Sequence, residues 1–285
     1  MSLDVLLAEA GPGEGVCIPG CYDGFSALLI EQAGFPVAFL TGGGLSMARL
    51  GRPDMGLVTA SELAECTAQI TERISLPLIV DADTGFGNAL TLQRTLRQLA
   101  RAGAAAVTIE DQQFPKRCGH MAGKRVVPVE EAVGRVRAAV DAAGGMTIIA
   151  RTDALALEGL DAALERAERY LEAGAGALFI EGPREMSDVD EIARRFAGRV
   201  PLIHNLVEGG TSPAADSAPF FERGYAATLH PLLLLHLLAA QAPAALAHLR
   251  ERGETHSFGT QLADLQTMNR LTGADELIKE GDRYA

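Results

Sequence analysis

Short apolar runs rich in β-branched residues recur along the chain, and most of them are followed by a longer amphipathic stretch. A short continuous apolar run predicts a buried strand, whereas apolar positions that repeat every three to four residues predict a helix. The predicted strands are Val16–Pro19, Val37–Leu40, Leu78–Asp81, Ala106–Glu110, Thr147–Arg151, Ala177–Glu181, Leu202–Asn205 and Ala226–Leu229. Regular alternation of strand and helix is typical of parallel sheets, and eight such units favour a closed (β/α)8 barrel over an open sheet.

The stretches between the predicted strands have the pattern of helices that cover a parallel sheet. Leu90–Ala102 and Leu160–Ala173 repeat apolar residues at helical spacing between charged and amide residues. Gly103 and Gly174 follow these two stretches directly. Glycine permits the left-handed backbone turn that ends many helices, so both helices are expected to end there.

No linker divides the sequence, so residues 1–285 are predicted to form a single α/β domain, a (β/α)8 TIM barrel. After the eighth strand, a helix is expected near Pro231–Arg252, followed by a polar break and one or two further helices up to Ala285. This C-terminal helical extension, from about residue 231, exceeds what a barrel needs. It could pack on its own barrel or on a neighbouring subunit.

Composition and charge narrow the range of functions. Hydrophobic residues make up 48% of the chain, yet no apolar run reaches the roughly 18 residues that a membrane span needs. The first residues lack the basic leader of a signal peptide, so we expect a cytoplasmic protein. The formal net charge of −12 disfavours nucleic acid as a partner, because binding to a phosphate backbone requires a basic face.

Residues 116–125 form a basic segment against this acidic background. The segment contains four Lys or Arg residues and His120, and it contains no acidic residue. It could clamp an anionic substrate, although a solvated surface loop would have the same composition. Cys118 lies among these positive charges, which lower the pKa of a thiol from its free value of about 8.5. Such a thiol could exchange a proton with carbon; a buried, inert cysteine is the alternative.

Polar residues concentrate where the predicted strands end, which is the edge of a (β/α)8 barrel that carries the reaction site. The positions concerned are Thr41–Gly44, Asp81–Asp83, Glu110–Asp111, Arg151–Asp153, Glu181, Asn205 and His230. Carboxylates that converge at one edge repel one another unless a cation neutralises them. Oxygen ligands favour Mg²⁺ or Mn²⁺ over zinc, so the sequence predicts a magnesium or manganese site at this edge.

Asp81 and Asp83 are the first candidates for metal ligands. They are two residues apart at a predicted extended strand end, and their side chains should therefore point to the same side. Glu110 would support the metal directly or through water. Helix capping and salt bridges with Arg151 are the alternative explanation of these carboxylates.

The glycines Gly42, Gly43 and Gly44 follow a predicted strand and precede the start of a predicted helix. Exposed backbone N–H groups in such a segment can bind a carboxylate or a phosphate. A tight turn explains the same glycines equally well. The segment therefore supports an anion-binding site only in combination with the other polar residues at this edge.

Four motifs, taken together and in this order, resemble one known family. They begin at Asp81 (DADTGFGN), Ile109 (IEDQ), Lys116 (KRCGH) and Ile149 (IARTD). The chain resembles the isocitrate lyase/phosphoenolpyruvate mutase superfamily from about Pro19 to Pro231. KRCGH is the most specific of these motifs, because it marks the lyase branch. The resemblance implies a (β/α)8 barrel that is commonly tetrameric, with a C-terminal helix swapped onto a neighbouring subunit.

The resemblance also implies a role for each matching residue. Asp81 and Asp83 match the metal aspartates, with Glu110 as a further acid near the metal. Cys118 matches a general acid, accompanied by His120, and Arg151 grips the 2-oxo acid portion of the substrate. The residues that match substrate contacts are Tyr22, Thr41, Gly42, Gly43, Asp54, Lys116, Gly119, Arg151, Glu181 and Asn205.

The implied reaction is a retro-aldol cleavage of a carbon–carbon bond. Mg²⁺, or Mn²⁺ in its place, would acidify the 2-hydroxyl of the substrate. Arg151 and backbone donors would stabilise the developing charge, and Cys118 would protonate the departing fragment. The basic segment would close over the substrate and exclude water.

Departures from the family pattern narrow the implied substrate. Relatives that cleave 2-methylisocitrate, a tricarboxylate, carry arginines where this chain has His236 and Met268, and a tyrosine where it has Phe39. A third carboxylate would lose its partners, so a dicarboxylate such as a 2-alkylmalate, dimethylmalate or oxaloacetate is favoured. The alternatives are a 2-methylisocitrate lyase, a phosphonopyruvate or carboxyphosphonoenolpyruvate mutase-type enzyme, and a metabolite-binding protein without turnover.

Overall fold

The computed structural model describes Leu3, Leu7 and residues 13–117, 119 and 123–285, and it forms a closed barrel of eight parallel strands. The strands are β1 Val16–Cys21, β2 Ala38–Leu40, β3 Leu78–Asp81, β4 Ala106–Glu110, β5 Thr147–Thr152, β6 Ala177–Ile180, β7 Leu202–Asn205 and β8 Ala227–His230. Each strand pairs with the next one in sequence, and β8 closes the barrel against β1. The predicted (β/α)8 barrel is confirmed.

The predicted strands agree with the observed ones except at a few ends. β1 continues to Cys21, two residues beyond the predicted end, because Cys21 is still in register with Leu40 of β2. β5 continues to Thr152, which pairs with Ile180 of β6. These extra residues lie at the carboxyl ends of the strands. The apolar pattern on which the prediction depended is interrupted by Pro19 and Gly20 in β1 and by the polar residues Arg151 and Thr152 in β5.

Helices follow the strands as the alternation predicted. The helices of at least eight residues in the barrel unit are Gly24–Gln32, Ala60–Arg73, Ala89–Arg101, Val129–Asp141, Leu160–Glu172 and Met186–Phe196, and Leu233–Arg252 follows β8. Short helices span Gly42–Leu45, Leu155–Glu158 and Ala218–Phe221, and a π-helical turn spans Ser46–Leu50. Gly103 and Gly174 have φ of 90° and 99°, which confirms the predicted left-handed turns after two of the helices.

The core has two layers, because successive strand residues point to opposite faces of the sheet. Ile79, Ile149 and Phe179 belong to a cluster drawn almost entirely from the strands, which fills the barrel interior. Leu78 and Val80 instead pack in a second cluster with residues of the surrounding helices. The strand pattern is thus apolar on both faces, as is typical of a buried parallel sheet.

The chain divides into two compact units, residues 1–235 and residues 236–285. The second unit contains most of the helix Leu233–Arg252, a 3₁₀ segment His256–Gln261, and the helices Leu265–Thr272 and Ala274–Gly281. Several of its apolar side chains are exposed, including Leu238, Leu246, Leu265 and Leu277. None of the described helices is both long and apolar enough for a membrane span. A single domain with a helical extension from about residue 231 stays a prediction.

Gly20 marks the closest approach of two chain segments in the barrel wall. A Cβ atom at this position would lie 2.1 Å from the carbonyl oxygen of Pro231 and 2.6 Å from its Cα. Both are backbone atoms, and the segment is held by the pairing of Pro19 with His230. A side chain at position 20 therefore requires the backbone after β8 to move.

We expect Gly20→Ala to lower the free energy of unfolding by about 3 kcal/mol or more, the cost of overpacking a rigid core. Gly134→Ala is the matched control, because Gly134 lies exposed in the helix Val129–Asp141 with open space around its Cβ position. That control should stabilise the protein by about 0.5–1 kcal/mol. Denaturant unfolding curves measure both; equal stability of the two variants would contradict the close approach.

Candidate active site

The carboxyl ends of the strands gather most of the predicted site residues around one small cavity. The cavity encloses about 50 Å³, so it favours a small ligand. The predicted residues that line it are Thr41, Gly43, Asp54, Asp81, Gly119, Arg151 and Asn205. Phe39, Met47, Phe179, Val207, Leu229, Pro231 and Leu232 complete the wall. The lining of the cavity therefore combines polar and charged residues with apolar ones.

Asp81 and Asp83 meet against the backbone of Gly42. A Cβ atom at Gly42 would lie 3.1 Å from Asp81 Oδ2 and 3.2 Å from Asp83 Oδ1, so a side chain there would require both carboxylates to shift by a few tenths of an ångström. The Gly42 N–H donates to Asp81 Oδ2 at 3.4 Å. Asp81 Oδ1 accepts from Thr108 Oγ1 at 3.1 Å and from the Asp83 N–H at 3.2 Å. The predicted glycine segment thus binds a carboxylate of the protein itself.

The predicted extended geometry of Asp81 and Asp83 is wrong, although their side chains do lie close together. β3 ends at Asp81, and Asp83 has φ of 50°, in the left-handed region that few residues other than glycine adopt. A turn, closed by the Gly85 N–H on the Ala82 carbonyl, brings Asp83 back over Asp81. Strained backbone of this kind clusters at functional sites, where surrounding contacts hold it.

Lys116 places a buried ammonium among these acids. Its Nζ contacts Asp54 Oδ1 and lies 2.6 Å from Asp83 Oδ1, and its side chain is only 3% exposed. Burial, opposed by Lys116 and reinforced by Asp81 and Asp54, raises the pKa of Asp83 to about 7. Lys116, predicted to contact substrate, here neutralises the acid cluster.

Arg151 occupies the centre of a second group of acids. Its Nε donates to Asp153 Oδ2 at 2.9 Å and lies 3.5 Å from Glu110 Oε2, while one of its terminal nitrogens lies 3.7 Å from Glu181 Oε2. Burial opposes its charge, but these three carboxylates raise the pKa of Arg151 well above its ordinary value. The guanidinium also stacks over Phe179, with 5.0 Å from Cζ to the ring centroid.

Glu110 and Asn205 each keep a buried oxygen without a hydrogen-bond donor in the described part of the chain. These atoms are Glu110 Oε1 and Asn205 Oδ1. Burial, opposed by Arg151, raises the pKa of Glu110 well above its ordinary value. Asn205 Nδ2 donates to Glu181 Oε2 at 3.5 Å. Orphaned buried oxygens are costly, and they are expected where a ligand completes the site.

Sequence reasoning missed two residues that the structure places in this group. Asp153 is completely buried at the end of β5 and bonds the guanidinium of Arg151. Lys124 donates from Nζ to Asp153 Oδ1 at 2.8 Å and to the Gly119 carbonyl at 2.6 Å. The signal was present, because Asp153 ends the IARTD motif and Lys124 belongs to the basic segment. Neither residue had a spacing that predicted the contact.

Gly119 lines the cavity. A Cβ atom there would come within 2.7 Å of an Arg151 terminal nitrogen and 2.8 Å of the carboxyl carbon of Glu181. The two neighbours predicted as catalytic, Cys118 and His120, lie outside the described residues. Of the KRCGH motif, the described residues Lys116 and Gly119 lie at the site.

Three other predicted residues are placed less directly. Tyr22 follows β1 and is half-buried, with its N–H donating to Ser26 Oγ. His236 and Met268 belong to the second compact unit, in the helices Leu233–Arg252 and Leu265–Thr272. Their part in substrate selection stays a prediction.

The charges and the orphaned oxygens fit a divalent cation. Asp54, Asp81, Asp83, Glu110, Asp153 and Glu181 supply six carboxylates. The described cations facing them are Lys116, Lys124 and Arg151. A set of three or more His, Cys, Asp or Glu side chains already arranged around one point does not occur among the described residues. Mg²⁺ suits such a site, since it keeps several waters and needs few carboxylates.

Cavity volume alone does not locate the site. A larger cavity of about 740 Å³ opens at the opposite end of the barrel, where Pro77 and Ala105 precede β3 and β4. It is lined by the ends of helices and loops, and its described lining contains a single carboxylate, that of Glu72. The small cavity is the better candidate because buried charges, orphaned oxygens and strained backbone all converge there.

Known proteins with similar sequences include lyases and a mutase. A family model described as phosphoenolpyruvate phosphomutase matches residues 8–218. The chain is 39% identical over 276 residues to the chloroplastic carboxyvinyl-carboxyphosphonate phosphorylmutase of Arabidopsis thaliana, covering 95% of this chain and 81% of that protein. It is 40% identical over 254 residues to the 2-methylisocitrate lyase of Bacillus subtilis, with coverages of 89% and 82%. It is 36% identical over 272 residues to the 2,3-dimethylmalate lyase of Eubacterium barkeri, with coverages of 95% and 93%.

Solved structures give the same grouping. A crystal structure of 2,3-dimethylmalate lyase superposes with a TM-score of 0.91 at 32% identity, covering 100% of this chain and 96% of that one. Oxaloacetate acetylhydrolase in complex with 3,3-difluorooxalacetate also gives 0.91, at 30% identity and coverages of 99% and 96%. Phosphonopyruvate hydrolase in complex with oxalate and Mg²⁺ superposes with a TM-score of 0.85 at 27% identity, covering 100% of this chain and 99% of that one.

The chain therefore belongs to the phosphoenolpyruvate mutase/isocitrate lyase superfamily, and the resemblance noted in the motifs is confirmed. It is an enzyme that groups with the carbon–carbon lyases of that superfamily. One of the similar solved structures, that of phosphonopyruvate hydrolase, contains Mg²⁺ together with oxalate.

The burial of two of the three lysines can be measured directly. Lys116 and Lys124 are nearly inaccessible, whereas Lys279 is exposed. Reductive methylation of the native protein should therefore modify Lys279 and spare the other two, as read from peptide masses. The same reaction in denaturant should modify all three. Methylation of Lys116 or Lys124 at the rate of Lys279 would contradict the buried ion pairs.

Proposed function

We propose that this enzyme is a Mg²⁺-dependent lyase that cleaves a small 2-hydroxy or 2-oxo dicarboxylate of the 2-alkylmalate, dimethylmalate or oxaloacetate type. One observation carries the proposal: among the described residues that line the cavity, Arg151 is the only cationic side chain. It faces an acid cluster suited to a divalent metal. The names of two related proteins, 2,3-dimethylmalate lyase and oxaloacetate acetylhydrolase, support the same substrate class.

Among the described residues, the cavity has partners for two carboxylates and for little more negative charge. Arg151 would bind one carboxylate, and the metal held at Asp81, with Asp83 and Glu110 close by, would bind the other. Phe39, Val207 and Leu229 offer an apolar wall where an alkyl substituent could pack. A third carboxylate against this wall would lose its hydration without gaining a partner, which is costly. The cavity thus favours a dicarboxylate over a tricarboxylate.

The acidic residues near the metal position would hold the ion, and their neighbours would neutralise the surrounding charge. Asp81, Asp83 and Glu110 would hold Mg²⁺, with Mn²⁺ as a substitute, and Asp54 with Lys116 would fix the neighbouring charge. When bound, the ion acidifies the substrate 2-hydroxyl and offsets the charge that develops as the carbon–carbon bond breaks. Thr41, Gly42 and Gly43 would contact the substrate from the same side, although the Gly42 N–H is already bound to Asp81 and the Thr41 N–H to the Cys21 carbonyl. Tyr22, Glu181 and Asn205 would complete its contacts.

The second half of the reaction needs a proton at carbon. We assign that proton to Cys118, with His120 beside it in the KRCGH motif. The contact of the Gly119 position, which lies between these two residues in the sequence, with Arg151 supports this assignment. Arg151 would stabilise the enolate-like fragment until it is protonated, and the loop above it would exclude water.

Two other activities remain as outcomes of the test. The relative at 40% identity is a 2-methylisocitrate lyase, and that activity would require other residues to take the place of the arginines replaced by His236 and Met268. A phosphonopyruvate or carboxyphosphonoenolpyruvate mutase-type reaction is supported by the 39% identical Arabidopsis protein. The cysteine of the KRCGH motif argues against the mutase reaction.

We also propose a cytoplasmic homotetramer with neither nucleic acid nor membrane as a partner. The exposed apolar side chains of residues 236–285 support association, since contiguous apolar surface on a helix usually covers a second surface. The formal charge of −12 supports the exclusion of nucleic acid. Molecular mass by light scattering tests the tetramer.

An NMR product screen tests the activity. Purified protein with Mg²⁺ should convert a 2-alkylmalate or dimethylmalate to a 2-oxo acid and a monocarboxylate, or oxaloacetate to oxalate and acetate. A chelator should abolish turnover, and added Mg²⁺ or Mn²⁺ should restore it. If 2-methylisocitrate instead gave succinate and pyruvate, or if phosphonopyruvate were rearranged, the proposed substrate class would be wrong and the corresponding alternative activity would take its place. Full turnover in chelator would end the metal assignment.

Cys118→Ser tests the general acid in the same assay. We expect it to remove most of the turnover, by about 100-fold or more, and to leave ligand binding intact, because a hydroxyl is a far weaker acid than a thiol. Cys66→Ser is the matched control, since Cys66 is a buried cysteine of the helix Ala60–Arg73, away from the cavity. Near-normal turnover of the Cys118 variant would refute the role.

A further inference from the structure

Nearly all of the basic residues in the chain are arginines. It contains 22 arginines and three lysines, and two of those lysines lie in the ten residues of the basic segment. Both are buried, with 3% and 4% of the side chain exposed at Lys116 and Lys124. An ammonium is a compact point charge on a thin stem, whereas a guanidinium is a planar fork. Lysine at these positions indicates a narrow slot that holds a single charge.

Lys124 connects two parts of the candidate active site. Its Nζ donates to the carbonyl oxygen of Gly119 at 2.6 Å, on the loop over the cavity. The same ammonium donates to Asp153 Oδ1 at 2.8 Å, at the end of β5. Asp153 is completely buried, so water cannot replace its bond to Lys124, whereas Gly119 is half-buried.

Asp153 is shared between two cations. Arg151 donates from Nε to Asp153 Oδ2 at 2.9 Å and from a terminal nitrogen to Asp153 Oδ1 at 3.1 Å. Lys124 also donates to Asp153 Oδ1. Burial would raise the pKa of Asp153, but Arg151 and Lys124 lower it to about 2, so the carboxylate is ionised. Without Lys124, Arg151 would be the one of these two cations left to offset the charge of Asp153.

Arg151 is already surrounded by negative charge. Glu110 and Glu181 lie 3.5 and 3.7 Å from its nitrogens, in addition to Asp153. A guanidinium that is fully neutralised by its own protein attracts a further carboxylate weakly. Its ability to bind substrate therefore depends on another cation that takes up part of this charge.

We propose that Lys124 is a positioning residue: it neutralises Asp153, so that the charge of Arg151 is available to a ligand carboxylate, and it holds the Gly119 backbone against the cavity. The carboxylate-binding role of Arg151 is part of the proposed function, and this inference rests on it. A purely structural ion pair between Lys124 and Asp153 is the competing explanation.

Oxalate, the smallest dicarboxylate, is the probe, with Mg²⁺ present and calorimetry as the measurement. We expect Lys124→Met to raise the dissociation constant of oxalate by about tenfold or more, the scale of effect seen when a binding group is displaced. Lys124→Gln keeps a donor for the Gly119 carbonyl but removes the charge, and it should weaken binding nearly as much. Lys279→Met, at the exposed lysine, is the matched control and should bind as the wild type does.

A second substitution separates positioning from stability. In Lys124→Met combined with Asp153→Asn, the excess negative charge beside Arg151 is removed, so oxalate binding should recover at least part of the loss. A purely structural pair predicts no recovery, since the double variant lacks both partners. Thermal unfolding of each variant identifies any that fail to fold, and Lys124→Gln remains informative if Lys124→Met is one of them.

The outcomes distinguish this inference from the proposed function. Unchanged oxalate affinity in Lys124→Gln, absence of recovery in the double variant, or no oxalate binding by the wild type would each overturn the role of Lys124. Absence of turnover on every dicarboxylate would overturn the proposed function alone, because weakened oxalate binding in the Lys124 variants would still be measured.

Discussion

The structure depends on the burial of more carboxylates than cations at one end of the barrel. Ion pairs stripped of water are stable only where geometry lets each charge meet its partner. Closed pairing of β3, β4, β5 and β6 supplies that geometry, because it fixes the strand ends from which Asp81, Glu110 and Arg151 project. The remaining negative charge is what makes this end suited to a divalent ion, and the apolar clusters below it hold the scaffold rigid.

The backbone contributes as much as the side chains. Gly42 and Gly119 allow the chain to pass directly over carboxylates and over the guanidinium of Arg151, where any Cβ atom would intrude. Asp83 keeps a left-handed conformation because the turn after β3 and the ammonium of Lys116 hold it. The chemistry proposed for the cavity therefore requires that close approach of loops to strand ends as well as the right residue types.

The sequence was sufficient for the barrel, because its eight apolar runs and the helices between them follow two distinct periodicities. Most of the site was also predictable, since polar residues at strand ends converge once the strands are parallel. The turn that joins Asp81 to Asp83 could not be predicted, because the pattern indicated extended backbone where Asp83 has a positive φ. The hydrogen bonds of Lys124 could not be predicted either, because the partner of a loop residue depends on tertiary contacts that no local pattern encodes. Cys118 and His120 rest on the motif alone.

The charged residues of the site and some of the apolar residues of the cavity depend on different parts of the barrel. Asp83, Glu110, Arg151 and Glu181 lie near the ends of β3 to β6 and are tied by ion pairs that involve Lys116 and Arg151, so a change at one residue disturbs others. Val207 and Leu232 line the cavity after β7 and β8 and take no part in those pairs. Substitutions there can alter the accepted side group while the bond-breaking machinery stays intact. Such a division lets one scaffold diversify in substrate while its chemistry stays constant.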